Sequence, residues 1–169
     1  MTVKEIYLKI KGSEVYKNWE KSNSNYYLVH FLFMDDDSGK ETWNVGYYND
    51  DSKSMASFEP EGDDVKVVEE KELFQRKEEA IRPLIIDDVK KDLEEIKKLS
   101  ENFRKENYKN ELSLKSMFLL QNLKQFGQVW NITIFTRTFK TLNIKIDSST
   151  GEVKNHELSK LFDFDDGKK

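Results

Sequence analysis

Few residues in this sequence combine a reactive side chain with a spacing that supports catalysis. Its 169 residues include only two histidines, His30 and His156, and no cysteine. The chain therefore has no material for thiolate chemistry, disulfide bonds or an imidazole-rich metal site. His30 lies within an aromatic and β-branched run, so we interpret it as a hydrogen-bonded structural residue rather than a general base. No glycine-rich phosphate loop, nucleophile elbow or paired-histidine zinc motif occurs, and we assign no catalytic residue.

Two acidic segments could be taken for cation-binding loops, DDDSGK at 35–40 and DFDDGKK at 163–169. A calcium loop needs oxygen ligands at alternating positions, a glycine at the sixth position and a glutamate at the twelfth. Asp35 and Asp37 alternate, but Gly39 is the fifth residue and the distal glutamate is missing. We therefore predict solvated loops, with no bound metal and no organic cofactor.

The composition is that of a folded protein with an ionic surface. Apolar residues make up 37% and charged residues 36% of the sequence, and 12% of aromatic residues is too many for a disordered chain. The net charge of −4 gives no broad positive field for nucleic acid. No apolar run reaches the length of a signal peptide or a membrane span. We expect a cytoplasmic protein that binds neither nucleic acid nor membrane.

Apolar periodicity predicts both strands and helices. Ser13 is the predicted N-cap of a short helix, whereas the first residues fit either a Thr2–Glu5 capping box or a short strand. Two longer amphipathic helices are predicted, one over 81–103 and one from Leu114 to Phe126 that ends at Gly127. Aromatic and β-branched residues predict strands at 25–34, 42–48, 54–59, 64–70, 129–135 and 139–147.

An internal repeat is the main feature of the chain's organisation. The segment TWNVGYYNDDSKSMASFEPEGDDVKVVEEKELF aligns with VWNITIFTRTFKTLNIKIDSSTGEVKNHELSKLF, with one net insertion in the second copy. Trp43 matches Trp130, and the Leu-Phe pair at 73–74 matches that at 161–162. Self-similarity on this scale indicates one supersecondary unit used twice.

A longer pattern in the second copy carries a family resemblance. The predicted helix and strand in SLKSMFLLQNLKQFGQVWNITIF precede IKIDSSTGEV, an alternating strand that ends in D-x-x-T-G-x-V. This order resembles the PepSY family, a small domain of peptidase propeptides and envelope proteins. The first copy shares only Trp43 and the turn EPEGDDV, with Gly62 at the turn. The resemblance implies a cystatin-like α+β unit that sequesters a peptide or protein, with an inhibitory or regulatory role toward peptidases.

The turn residues of that pattern have a structural explanation. Asp147 can accept hydrogen bonds from backbone amides further along the turn, and Gly151 can supply the positive φ that returns the chain. The motif therefore indicates a fold and no catalytic site.

We predict an α+β fold of two related units, each an antiparallel sheet with helices packed on one face. The first unit covers 1–76, and a linker helix with the second unit covers 77–169. Two lobes and one continuous sheet both remain open. Trp43 and Trp130 are predicted core anchors, because strand alternation places Trp130 on one face with other apolar residues. The helix predicted from Leu114 to Phe126 is the expected cover of that face.

The opposite strand face carries the candidate partner-binding surface. Phe135, Arg137 and Phe139 cluster near a predicted hairpin tip, and Tyr48 is the position in the first copy that matches Phe135. Exposed aromatic residues beside arginine are typical of protein interfaces. We therefore predict a non-enzymatic module that binds a protein or peptide. The alternative is a small-molecule-binding protein or hydrolase with a cavity between sheet and helix. A buried pocket with convergent polar groups around His30 would favour this alternative. A homodimer is left open.

Overall fold

The structure is a computed structural model that describes residues 1–35, 38–70 and 80–161. Over these residues the chain forms an α+β fold of three α-helices and one eight-stranded antiparallel sheet. The helices are α1 (Val3–Gly12), α2 (Glu14–Glu20) and α3 (Leu93–Asn107). The strands are β1 (Tyr27–Asp35), β2 (Glu41–Asn49), β3 (Ser54–Glu61), β4 (Asp64–Glu70), β5 (Ser113–Leu123), β6 (Gly127–Thr136), β7 (Lys140–Asp147) and β8 (Val153–Lys160).

The strand order β4-β3-β2-β1-β5-β6-β7-β8 places two four-strand runs side by side. β1 and β5 join them as an antiparallel pair, with Phe31 opposite Leu120 and Phe33 opposite Phe118. The described chain therefore forms one continuous sheet, which decides between the two arrangements left open by the sequence. The division into related units stays a prediction. Asp37, the matched residues at 73–74 and 162, and the tail at 163–169 lie outside the described residues.

Local capping explains how the first two helices begin. The Thr2 amide donates to Glu5 Oε2 at 2.7 Å and the Glu5 amide donates to Thr2 Oγ1 at 3.2 Å, so the capping box forms and the first segment is helical. The Tyr16 amide donates to Ser13 Oγ at 3.1 Å, which confirms Ser13 as an N-cap. These bonds satisfy amide groups that a helix cannot pair internally.

All three helices pack on one face of the sheet and close a single hydrophobic core. Trp43 is 7% exposed and Trp130 is fully buried, which confirms both as core residues. Trp130 also donates from its indole Nε1 to the Lys91 carbonyl at 2.9 Å, so its one polar atom is paired. Ile96 of α3 belongs to the same buried cluster, and α3 is therefore the cover of the second strand run.

The predicted helix from Leu114 to Phe126 is wrong, because this segment is strand β5. β5 lies at the sheet centre, where Phe118 faces the core and its neighbour Met117 is half-buried on the other face. Apolar residues on both faces produce a continuous run, and such a run has no period that separates strand from helix. Gly127 does have positive φ, at 73°, but in the tight β5–β6 turn rather than after a helix.

The predicted helix over 81–103 is correct only in its second part. A single 3-10 turn covers Ile86–Asp88, and the α-helix begins at Leu93 after the N-cap Asp92. The segment before it is held by the sheet, because the Leu84 amide donates to the Leu28 carbonyl at 2.9 Å. Pro83 disfavours helix at the residue before it, which is consistent with an extended start.

The sheet face opposite the helices, which we call the open face, carries no helix of the described chain. At its centre four apolar side chains are half-buried, since neighbours within the sheet cover them only from the sides. These are Leu32, Met34, Met117 and Leu119. Beside them a polar row runs across β6 and β7, in which Asn143 Nδ2 donates to Asn131 Oδ1 and Lys145 Nζ donates to Asn143 Oδ1, each at 2.6 Å.

Candidate functional site

The β6–β7 hairpin projects an aromatic side chain from one end of the sheet. Its loop has three residues, Arg137 to Phe139, between the end of β6 and the start of β7. The Phe139 amide donates to the Thr136 carbonyl at 3.1 Å and closes the turn. Phe139 is 68% exposed, so the described chain leaves most of its surface uncovered.

The backbone at Phe139 is left-handed, with φ at 58°. Among described non-glycine residues only Lys53 shares this feature, with φ at 53°. A side chain in this conformation crowds the backbone and costs about 1–2 kcal/mol, which is why glycine usually occupies the position. Backbone strain of this kind persists where the surroundings fix it and is concentrated at functional sites.

A buried carboxylate fixes the hairpin from below. Glu111, in the α3–β5 connection, is 6% exposed, and its Oε1 accepts from Lys140 Nζ at 2.9 Å. Thr138 donates its hydroxyl to Glu111 Oε2. Hydrogen bonds from Thr138 and Lys140 hold the pKa of Glu111 below its ordinary value, so the group stays ionised. The Arg137 amide adds a bond to the Leu112 carbonyl at 2.9 Å, so both sides of the loop are tied to this connection.

Exposed leucines surround the loop. Leu112, directly before β5, is 49% exposed, and Leu114, the second residue of β5, is 47% exposed. Both lie beside the hairpin. Leu161 is 42% exposed, and its amide donates to the Phe139 carbonyl at 3.0 Å. We call these three leucines together with Phe139 the hairpin-end patch.

Three of the four predicted binding residues come together at this end of the sheet. Phe135 is half-buried on the open face opposite Lys115 of β5, and Arg137 follows two residues later and is exposed. Phe139 completes the group at the loop. These positions agree with the predicted surface, while its use in binding stays a prediction.

Tyr48 does not belong to this surface. It lies in β2, in the other strand run, and its side chain is fully buried. Its ring packs edge-on against the ring of Tyr27 with centroids 5.9 Å apart. The repeat correctly places Tyr48 on the face opposite the helices, but that face is covered at this position, so the prediction of an exposed binding residue is wrong.

The residues that build the site from below were not predicted. Glu111 and Lys140 are 29 positions apart, and neither has a local motif that marks it as one half of an ion pair. Leu114 is the first residue of the wrongly predicted helix, where an exposed leucine has no special meaning, and no pattern marks Leu112. A signal was nevertheless available, because Phe139 stands where a three-residue hairpin loop favours glycine.

His30 is hydrogen-bonded within the open face, in agreement with its structural interpretation. Its Nε2 lies 3.0 Å from Asn44 Oδ1, and Asn44 Nδ2 donates to Glu59 Oε1 at 3.0 Å. The imidazole lies against Gly46, where a Cβ atom would come within 2.2 Å of the ring. A cleft of about 200 Å³ adjoins His30 between the open face and residues 80–82. It is on the far side of the sheet from the helices.

A second and larger concavity lies on the helix side. An open groove of about 730 Å³ separates α3 from the ends of β1, β5 and β6. Phe118 and Ile134 form its apolar part, and Ser116 lies at its wall. Three of its charged residues form ion pairs: Lys97 pairs with Glu94 at 3.3 Å, and Glu101 pairs with Arg104 at 2.6 Å.

The described residues contain no group of three or more histidine, aspartate or glutamate side chains arranged to hold a metal ion. None of their helices has the length and apolar character needed to cross a membrane.

Comparison with known proteins gives a likeness of fold. No family model matches the chain, and no curated protein matches its sequence. The fold is similar to that in the crystal structure of a putative lipoprotein from Clostridium difficile 630, with a TM-score of 0.56. The two chains are 15% identical, and the match covers 86% of this chain and 91% of the other. At that identity the likeness concerns the fold alone.

Proposed function

We propose that this protein is a non-enzymatic module that binds another polypeptide through the hairpin-end patch and the adjoining open face. The observation that carries the proposal is Phe139, a large aromatic side chain that is 68% exposed on a backbone with positive φ. Exposure and strain both cost free energy, and neither contributes to the core. A partner that covers the ring would offset the cost of its exposure.

The way the hairpin is held supports the same proposal. The ion pair of Glu111 with Lys140 and the hydroxyl bond from Thr138 fix the loop before any partner arrives. A preorganised loop loses little conformational entropy on binding, and this raises affinity for a given contact area. Aromatic and arginine side chains also dominate the binding energy of most interfaces, and Arg137 lies beside Phe139.

We further propose that the two strand runs are related PepSY-like units, as the sequence resemblance implies. Support comes from the matching order of strands, with Trp43 in β2 and Trp130 in β6, each the second strand of its run. Both runs also follow at least one helix along the chain. The family resemblance adds a role in sequestering a peptide or regulating a peptidase. The cytoplasmic location remains a prediction from the sequence.

Capture of partners by two matched variants tests the proposed function. Phe139→Asn removes the ring but keeps a residue that tolerates positive φ, and Lys53→Asn makes the same substitution at the left-handed position of the other hairpin. Wild type and Lys53→Asn should retain the same partner from the native source. Phe139→Asn should weaken that capture about 10- to 100-fold, the size expected for an aromatic hot spot. Equal capture by all three proteins would reject the proposal.

The groove beside α3 favours a small-molecule-binding protein as a second candidate function. Its volume of about 730 Å³ is in the range of ligand sites, and apolar Phe118 with polar Ser116 is a suitable lining. Native mass spectrometry of protein purified from its source should then show a bound molecule. Ser116→Trp, which fills the groove, should release it. A wild-type preparation without bound mass would remove this candidate.

A further inference from the structure

We infer that the polypeptide segment recognised at the hairpin end is extended, acidic and apolar, with carboxylates beside aliphatic or aromatic side chains. This inference rests on the proposed function and names the class of partner for the same site. It is carried by three exposed cations, by the hairpin-end patch and by the sheet edge that reaches the patch.

The cations around the patch have no counter-charge in the described part of the chain. Three cations are exposed: Lys115, Arg137 and Lys160. None of them forms an ion pair with another described residue. Lys160 stands opposite Lys140 in the β7–β8 register, on the helix side of the sheet, and gains no counter-charge from this neighbour. The nearby carboxylate of Glu111 is already used by Lys140 and Thr138. A ligand with carboxylates would therefore meet cations that the described chain leaves unneutralised.

The cations lie among apolar side chains rather than in a separate cluster. Lys115 is opposite Phe135 in the β5–β6 register, and Arg137 precedes Phe139 in the loop. Lys160 precedes Leu161, whose amide bonds to Phe139. A purely acidic ligand would leave the patch wet, and a purely apolar one would leave desolvated cations unpaired. Only a segment that carries both kinds of side chain satisfies the whole surface.

The sheet edge explains why the ligand is a polypeptide. β8 is the last strand in the sheet order, so its outer row of backbone amides and carbonyls has no partner strand in the described chain. The strand ends at Lys160, beside the patch. An extended peptide can pair with such an edge while its side chains reach neighbouring pockets and charges. A nucleic acid or a lipid surface has no backbone that could pair in this way.

Selection from a random dodecapeptide phage library, panned on the full chain, tests the inference. The charge-reversed variant carries Lys115→Glu and Arg137→Glu. The matched control carries Lys4→Glu and Lys21→Glu, the same change of net charge at exposed positions in α1 and directly after α2. Phe139→Asn reports on the apolar part. Thermal melting of each protein verifies that it is folded before panning.

Wild type and the control should enrich peptides with at least two carboxylates beside an aliphatic or aromatic residue. The charge-reversed variant should lose these peptides and enrich lysine- or arginine-bearing ones, and Phe139→Asn should bind the wild-type peptides at least tenfold more weakly. Enrichment of neutral or basic peptides by wild type, no enrichment at all, or the same peptides on the charge-reversed variant would overturn the inference. So would binding to phosphatidylglycerol vesicles without peptide selection. A native partner captured through Phe139 but lacking an acidic-apolar segment would overturn this inference and leave the proposed function intact.

Discussion

The β2–β3 and β6–β7 hairpins use the same backbone device with opposite chemistry. In each, the residue before the second strand is a non-glycine with positive φ, Lys53 in one and Phe139 in the other. The first loop is polar, and its groups bond to one another. Asn49 Oδ1 accepts from the Asp51 amide at 2.9 Å, and Lys53 pairs with Asp50 at 3.0 Å. The second loop exposes an aromatic ring and an arginine.

Comparing the two hairpins shows which features of the β6–β7 hairpin the turn itself requires and which are additional. Lys53 shows that the left-handed residue can be a solvated, ion-paired side chain, so the turn itself does not require an aromatic group. The second hairpin also has a buried brace, Glu111, and the described part of the first hairpin has no equivalent ion pair to a distant segment. The turn itself therefore does not require these added features.

The largest effect is expected at the matched tryptophans. Trp130→Ala should destabilise the fold by about 3–5 kcal/mol, because a fully buried ring leaves a cavity and the Lys91 carbonyl loses its donor. Trp43→Ala should cost somewhat less, since Trp43 is 7% exposed and lies nearer the boundary of the core. Urea denaturation measures both. A loss below about 1 kcal/mol for Trp130→Ala would show that the residue is not a core anchor.

Glu111→Ala should reduce the free energy of unfolding by about 2 kcal/mol, because it removes charge-assisted bonds and leaves Lys140 half-buried without a partner. Asp50→Ala is the matched change in the first hairpin. It should have an effect within about 0.5 kcal/mol, since the Lys53–Asp50 pair is exposed. Chemical denaturation of both variants provides the measurement. Equal losses would mean that the second hairpin is not specially braced.

The β7–β8 turn and the β3–β4 turn, each the last turn of its strand run, should differ in how their stability depends on pH. Burial alone would raise the pKa of Asp147, but hydrogen bonds from the Thr150 and Ser149 amides outweigh it and leave the pKa below its ordinary value. A lowered folded-state pKa gives stability that is present above the unfolded pKa of about 4 and is lost as pH falls through the folded value. Asp147→Ala should therefore cost about 1–2 kcal/mol at pH 7 and progressively less below about pH 4.

The β3–β4 turn is the control for that titration. It turns at Gly62, which has φ at 56°, and in the described structure no carboxylate side chain accepts from its backbone amides. Asp63→Ala should leave stability nearly unchanged at either pH. Melting temperatures recorded from pH 7 to pH 3 distinguish the two turns, and a pH-independent loss for Asp147→Ala would contradict the assigned role of its carboxylate.

What could be predicted from the sequence depended on how local the cause is. Ser13, Trp130 and Gly151 were placed correctly because a cap, a strand alternation and a positive-φ turn act over a few residues. The strand at 113–123 was missed because its apolar residues serve both the core and the open face, and the sheet neighbours that reveal this are distant in sequence.

The candidate site shows the same limit. Arg137 and Phe139 are exposed as predicted, because aromatic and basic residues alternate in one strand and its loop. Tyr48 was misplaced because the matched strand position in the first run is covered, and repeat alignment carries no information about a different cover. Glu111 could not be predicted, because its ion-pair partner Lys140 lies in the β6–β7 hairpin, 29 residues further along the chain.

Glycine substitutions at the two left-handed positions should change stability only slightly but separate turn formation from partner binding. Phe139→Gly and Lys53→Gly should each stabilise the fold by about 0.5–1 kcal/mol, because relief of about 1–2 kcal/mol of left-handed strain exceeds the added chain entropy of glycine. If Phe139 served only the turn, both glycine variants would gain stability and keep partner binding. We expect instead that Lys53→Gly keeps partner binding and that Phe139→Gly gains stability while losing it. Denaturant midpoints and partner capture, measured on the same samples, separate the two outcomes. A stabilised Phe139→Gly protein that still binds would show that the ring, despite its exposure and strain, is not part of the interface.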